Sequence, residues 1–255
     1  DNRVQIQDLA GQDDPTWDTL VQPMQSLDDR LNNAWSVISH LNGVMNNDDL
    51  RKVYKNCLEK LTEYSTEVSQ NSVLCEAYKK LAARDDFHNL SESQRKSIDN
   101  ILRDFRLGGV DLPEDKKKRY AELSRELAEL SNKFSDNVLD ATQHWYKHIT
   151  DVDELSGLPE TAIEGARQAA RQKELDGYVI TLDFPSFYPV MTYGDNRSLR
   201  REVYEAFVTR ASDQGPDAAK WDNTPVMAEI LKRRHALAQL LGFDNYAERS
   251  LATKM

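Results

Sequence analysis

Two histidines, His144 and His148, stand four residues apart in the run His144-Trp145-Tyr146-Lys147-His148. On a continuous helix, residues at that spacing share a face, so both rings could approach one metal ion, and Asp140 one turn earlier could add a carboxylate. Hydrolysis asks for more. The signature H-E-x-x-H places a Glu directly after the first His, where it serves as general base to a metal-bound water. Trp145 holds that position here, and the signature occurs nowhere in the 255 residues. The pair therefore reads as two histidines on a helix beside Trp145, and no metal-ligating or catalytic residue is assigned. No nucleophile-base triad and no phosphate-cradling glycine loop can be assembled either.

Aromatic residues offer a different chemistry. Tyr178, Phe184, Phe187, Tyr188 and Tyr193 crowd into one short stretch. Rings with polar tips suit a groove that accepts peptides of many sequences, because they offer contact area without demanding one partner. Core packing explains the same residues equally well. Tyr178, Phe187, Tyr188 and Tyr193 are taken as the substrate-contact candidates. The basic runs Lys116-Lys117-Lys118-Arg119 and Lys232-Arg233-Arg234-His235 read as solvated or salt-bridged helix faces, with Asp222 and Glu229 near enough to neutralise part of the second.

The elements that must position these residues are mostly helical. Apolar residues recur every three or four positions over residues 17–41, from Trp17 through Leu27 to Leu41, which predicts a helix with one buried face. Pro15 suits its start. Asn46-Asn47-Asp48 marks a turn and cap before a second periodic stretch, residues 50–68, so two antiparallel helices are expected. Shorter helices follow over 73–83 and 91–105, the latter opened by the capping-box pattern Ser91-Glu-Ser-Gln94 and closed by Gly108-Gly109. The longest pattern runs from Tyr120 to Ile149, a spine roughly 50 Å long at about 1.5 Å per residue. After a helix over 160–173, Tyr178, Ile180 and Leu182 alternate with their neighbours as in a strand. Phe184-Pro185-Ser186-Phe187 reads as a turn and residues 188–193 as the returning strand, confined by Pro189 to an edge. Helices resume after Asn196 and close at Gly242, with residues 212–217 as a surface loop between them.

Composition narrows the function classes. The 43 acidic residues outnumber the 33 basic ones, a net charge of −10, which argues against a nucleic-acid surface with its basic field. Cys57 and Cys75 are too few for a disulfide framework and read as free thiols in a reducing cytosol. No apolar run approaches the roughly 20 residues of a membrane span, and the N-terminus lacks a secretory apolar core. The chain starts without Met and ends at Met255 in an uncapped helical pattern, so both ends read as cut.

The segments Pro185-Ser-Phe-Tyr-Pro-Val-Met-Thr-Tyr-Gly-Asp-Asn196, Arg200-Arg-Glu-Val-Tyr-Glu-Ala-Phe207 and residues 230–255 resemble the thimet oligopeptidase and neurolysin family of zinc metallopeptidases, in its bacterial oligopeptidase branch. Asn100-Ile-Leu-Arg-Asp-Phe-Arg-Leu-Gly-Gly-Val-Asp-Leu-Pro113, Asn137-Val-Leu-Asp-Ala-Thr142 and Asp153-Glu-Leu-Ser-Gly-Leu-Pro-Glu160 fit it in the same order. The resemblance implies a mostly α multi-helix N-terminal lobe with one small β-hairpin, spanning 1–255 and divisible into a bundle over 1–110 and a spine-and-hairpin part over 111–255. It further implies a cytoplasmic monomer acting on short peptides in a channel between two lobes. The zinc ligands and the catalytic domain would lie downstream, so this chain by itself would bind no zinc and be inactive. A self-standing helical binding module without catalysis is the alternative.

Overall fold

The computed structural model describes residues 2–254; the readings on Asp1 and Met255 lie outside the described residues. In chain order the elements are α1 (Asn2–Ala10), a π-helical turn (Trp17–Val21), α2 (Gln22–Val44), α3 (Asp48–Ser69), α4 (Ser72–Ala82), α5 (Glu92–Leu107) and α6 (Glu114–His144). They continue with β1 (Tyr146–Ile149), α7 (Glu160–Gln172), β2 (Tyr178–Thr181), α8 (Phe184–Tyr193), α9 (Arg197–Thr209), α10 (Thr224–Leu240) and α11 (Tyr246–Leu251). The fold is mostly α with one two-stranded antiparallel sheet. Two compact units divide it: residues up to Glu129 together with those from Ile230, and the segment Leu130–Glu229. The boundaries of these units fall inside α6 and α10.

The first unit is built on α4 and α5. Leu74, Cys75, Ala77, Tyr78 and Leu81 make α4 apolar on one side, and all five are buried with Ile98 and Phe105 of α5. Each fully buried aliphatic side chain contributes about 1.5–3 kcal/mol. Tyr78 and Phe105 meet with ring centroids 5.8 Å apart. Ser91 caps α5 through the full capping box with Gln94, and Asn47 caps α3 by accepting a hydrogen bond from the Leu50 amide. Gly108 ends α5 where a Cβ would stand 2.6 Å from the Ser69 Cβ, so only glycine lets α5 and the end of α3 approach this closely. Helix α1, absent from the periodicity reading, adds Ile6 and Ala10 to the same core.

The long first helix differs from expectation in two ways. It opens with a five-residue π turn, capped by Thr16 and Thr19, before α2 proper begins. Its apolar burial also stops early, although Asn42 near its end is buried. Met24 and Leu27 are buried, whereas Val37 and Val44 are more than half exposed, and α3 buries no residue at all. A second cluster joins Tyr120 and Leu123 of α6 to Leu237 of α10.

The second unit packs Ile149, Leu155, Ile180, Leu182, Val190, Leu199 and Val203 into one core. Strands β1 and β2 pair antiparallel, with Tyr146 opposite Thr181 and Ile149 opposite Tyr178. The partner of β2 is therefore the upstream segment 146–149, and residues 188–193 are not a strand. They belong to α8. Pro185 at the start of that helix has a preset φ suited to a first turn, and the amides of Ser186 and Phe187 bond back to the Asp183 carbonyl. Pro189 sits inside α8, where its missing N–H and its ring cost about 3 kcal/mol. Complete burial of Val190 beside it offsets part of that cost. Gly177 takes φ 86° at the turn into β2, and a Cβ there would lie 2.4 Å from the Ile149 carbonyl oxygen.

Candidate functional site

The histidine pair comes apart at the end of α6. His144 is its last residue, while His148 lies in β1, so the shared helical face that a metal pair would need does not exist. His148 Nε2 is 2.6 Å from the Asp176 carbonyl oxygen. His144 meets Trp221 edge to face at 5.0 Å, with Nε2 3.2 Å from Lys220 Nζ and 3.6 Å from Asp217 Oδ1. Among the described residues no group of three or more His, Cys, Asp or Glu is placed to hold a metal ion.

The aromatic candidates separate into half-buried anchors and exposed rings. Phe187 is half-buried and stacks on Phe207 of α9, with centroids 3.8 Å apart and planes 15° from parallel. Tyr178, half-buried on β2, accepts a hydrogen bond at 3.3 Å from Arg167 of α7, whose guanidinium also lies over its ring at 5.4 Å. That hydrogen bond, then the Glu164 carboxylate, raises the Arg167 pKa and keeps it charged. These two aromatics fasten α8 and β2 to the core.

Tyr188 and Tyr193 are exposed, 48% and 52%, but they do not share a face. Five residues at about 100° each leave them roughly 140° apart around α8. The true neighbour of Tyr188 is Phe184, one turn earlier, 65% exposed and stacked on it at 5.1 Å with planes 24° apart. The helix spacing i, i+4 could have paired these two; the strand assignment hid it. Tyr193 belongs to another anchor. At the end of α8, Ser156 Oγ donates to Asp195 and the Asp195 amide to the Ser156 carbonyl, each at 2.9 Å. Gly157 takes φ 86° there because a Cβ would stand 2.4 Å from the Tyr193 carbonyl oxygen. The outcome is an exposed, stacked Phe184–Tyr188 pair carrying one phenol, on a helix anchored by Phe187 and Val190 in the core of the second unit.

The basic runs behave as charged surface. Arg119 pairs with Glu122 at 2.8 Å and Lys117 with Glu114 at 3.4 Å. Arg233 Nε donates to Glu126 at 2.6 Å, and Arg234 covers the Tyr246 ring at 4.9 Å. Asp222 accepts a hydrogen bond from the Thr224 amide at 2.8 Å. Cys57 and Cys75 are both free, on α3 and α4. No helix among the described residues is long and apolar enough to cross a membrane.

Residues 2–117 match the N-terminal domain of the neurolysin/thimet oligopeptidase family, and residues 190–255 match peptidase family M3. Both matches are to the thimet oligopeptidase/neurolysin family, and they make the chain similar to its N-terminal portion. Within the family the particular likeness is to oligopeptidase A. The protein of that name from Escherichia coli (strain K12) is 52% identical over 256 residues, covering 100% of this chain, and that from Haemophilus influenzae is 51% identical over 255. A probable cytosolic oligopeptidase A of Arabidopsis thaliana is 36% identical over 259 residues. The chain spans 38%, 37% and 36% of these three proteins respectively.

Proposed function

We propose that this chain is the channel-forming N-terminal region of an oligopeptidase A-like zinc metalloendopeptidase that hydrolyses short peptides in the cytoplasm. Similarity that runs the whole length of the chain, at 52% identity, carries this reading. The metal and its water-activating chemistry belong to the remainder of the parent enzyme, the C-terminal catalytic domain, which is this region's partner. The contribution of the residues present is selection. Phe184 and Tyr188 offer a flat apolar surface with one hydroxyl, suited to unfolded peptide backbone and varied side chains, and Tyr193 offers a second contact. Tyr178 and Phe187, also candidates from sequence, act by holding that surface in place. The net charge of −10 argues against nucleic acid as a partner, and the parent is taken to act as a monomer.

The test is a peptidase assay on a quenched short peptide with added zinc, using this chain, the full-length protein, and the full-length protein with the Glu of its H-E-x-x-H signature changed to Gln. Activity confined to the unsubstituted full-length protein is the expected result. Zinc-dependent hydrolysis by the 255-residue chain alone overturns it. One observation favours a second reading, a helical binding module without catalysis: Val37, Val44, Met45 and Val53 expose apolar surface around the α2–α3 turn. An inactive full-length protein that captures a folded protein partner through this turn would establish it.

A further inference from the structure

The first unit holds two adjoining cavities that the aromatic face of α8 does not account for. The first, about 420 Å³, lies between α2, α3 and α5, with Trp35, Leu61, Val68, Ile101 and Phe105 among its walls. That volume falls in the range of small-ligand sites, and its walls are mainly apolar and aromatic. Two carboxylates edge it. Asp104 is already neutralised by Arg103, whose Nε donates to it at 2.9 Å. Asp28, exposed on α2 at the rim of the cavity, makes no hydrogen bond or ion pair among the described residues, and desolvation of its carboxylate on the cavity side, followed by repulsion from Asp29, raises its pKa. An unpaired carboxylate beside apolar walls is complementary to a cation carried on an apolar body.

The second cavity, about 650 Å³, shares Leu61, Ser65, Ser69 and Asp104 with the first. Its character is opposite. Thr62, Ser65, Thr66, Ser124 and Ser250 bring hydroxyls to it, and Arg249 brings a buried Nε–H with no acceptor among the described residues. A buried donor left without a partner costs about 1–3 kcal/mol, so this N–H calls for a carbonyl or carboxylate oxygen. An apolar pocket with an anion at its edge, continuous with a hydroxyl-lined space ending at a donor, follows the polarity of a short peptide read from its amino end.

We propose that the groove between α2, α3 and α5 binds the N-terminus of a short peptide with a bulky apolar first side chain. The α-ammonium pairs with Asp28, the side chain fills the pocket beside Trp35, and the following backbone enters the hydroxyl-lined cavity toward Arg249. This site does not depend on the catalytic reading, because a chain that binds such a peptide without cutting it satisfies the proposal equally.

The test measures binding, with no hydrolysis involved. The 255-residue chain is titrated with the peptide Phe-Leu-Ser-Ser, dye-labelled at its C-terminus, and with its N-acetylated form, while circular dichroism verifies the helix content of each variant. The expected result is at least about tenfold tighter binding of the free amine, the scale of one charge-assisted hydrogen bond. Asp28→Asn brings the two peptides within about twofold of each other, and Arg249→Gln weakens both about threefold or more. Equal affinity of the two peptides for the unsubstituted chain overturns the proposal, as does a preference that survives Asp28→Asn. Binding of 2-phenylethylamine as tight as that of the peptide overturns the peptide assignment. A measurement on the unsubstituted chain stands independently of any variant's folding: in nitrogen-15 spectra the free peptide shifts the Trp35 indole and the amides of residues 61–69, and shifts confined to other residues refute the site.

Discussion

Helices α3 and α4 follow one another in the chain, both with apolar residues at helical spacing, yet α4 lies in the core while α3 only edges it through partly buried Tyr64 and Val68. Five residues of α4 are buried and none of α3. The apolar side of α4 faces α1 and α5 and is consumed by the core, whereas Leu61 and Val68 of α3 remain half-exposed walls of a cavity. Periodicity therefore reports that a segment is helical and which side is apolar. Whether that side becomes core or the lining of a site depends on what the remaining chain brings against it.

The contrast can be broken most forcefully at the α4–α5 core. Leu74→Ala removes a fully buried side chain and should cost about 2–5 kcal/mol, while Val53→Ala on α3, already 56% exposed, should cost well under about 1 kcal/mol; urea unfolding of both variants measures the gap. Equal costs would mean that α3 is packed far more tightly than its exposure indicates. Next in size is the glycine that anchors α8. Gly157→Ala combines a positive φ with a Cβ 2.4 Å from the Tyr193 carbonyl, and it should destabilise the chain by about 1–3 kcal/mol in the same assay.

Smaller effects sharpen the comparison. Ser91→Ala removes the α5 capping box at about 1 kcal/mol, and Asn47→Ala the α3 cap at a similar or lower figure, because α3 carries less of the core. The Glu126–Arg233 pair is partly exposed and should contribute under about 1 kcal/mol. Its hydrogen bond to Arg233, which outweighs desolvation, lowers the Glu126 pKa below its ordinary 4.5. The stabilisation is thus present above about pH 4.5 and lost as pH falls through the lower folded value. Urea midpoints should show Glu126→Gln below the unsubstituted chain at pH 7 and the difference shrinking below pH 4. The least effect on stability is expected from Phe184→Ala with Tyr188→Ala, within about 1 kcal/mol, since both are exposed. Their proposed role predicts instead a raised KM for short peptides in the full-length enzyme, with kcat little changed.

Much of the helical architecture was legible because caps, glycine stops and apolar spacing are local signals. Asn47, Ser91 with Gln94, and Gly108 act where their residue types indicated. Residues 146–149 and 184–193 were misread for one shared reason. A four-residue strand gives too little alternation to stand out from the end of a helix, and Pro189 is tolerated inside α8 only because Val190 and Phe187 are driven into the core of the second unit. The split of His144 from His148, and with it the loss of any shared metal-binding face, follows from that same strand.

By itself the sequence determined most of the helix positions, the acidic charge balance, the absence of an H-E-x-x-H signature in these residues and the family resemblance, because each is written in neighbouring residues or in composition. Only the tertiary structure decided which apolar faces are core, that Phe184 rather than Tyr193 stands with Tyr188, and that Asp28 borders an apolar cavity with no partner among the described residues. Burial and pairing are made by residues distant in the chain, and no local pattern carries that information.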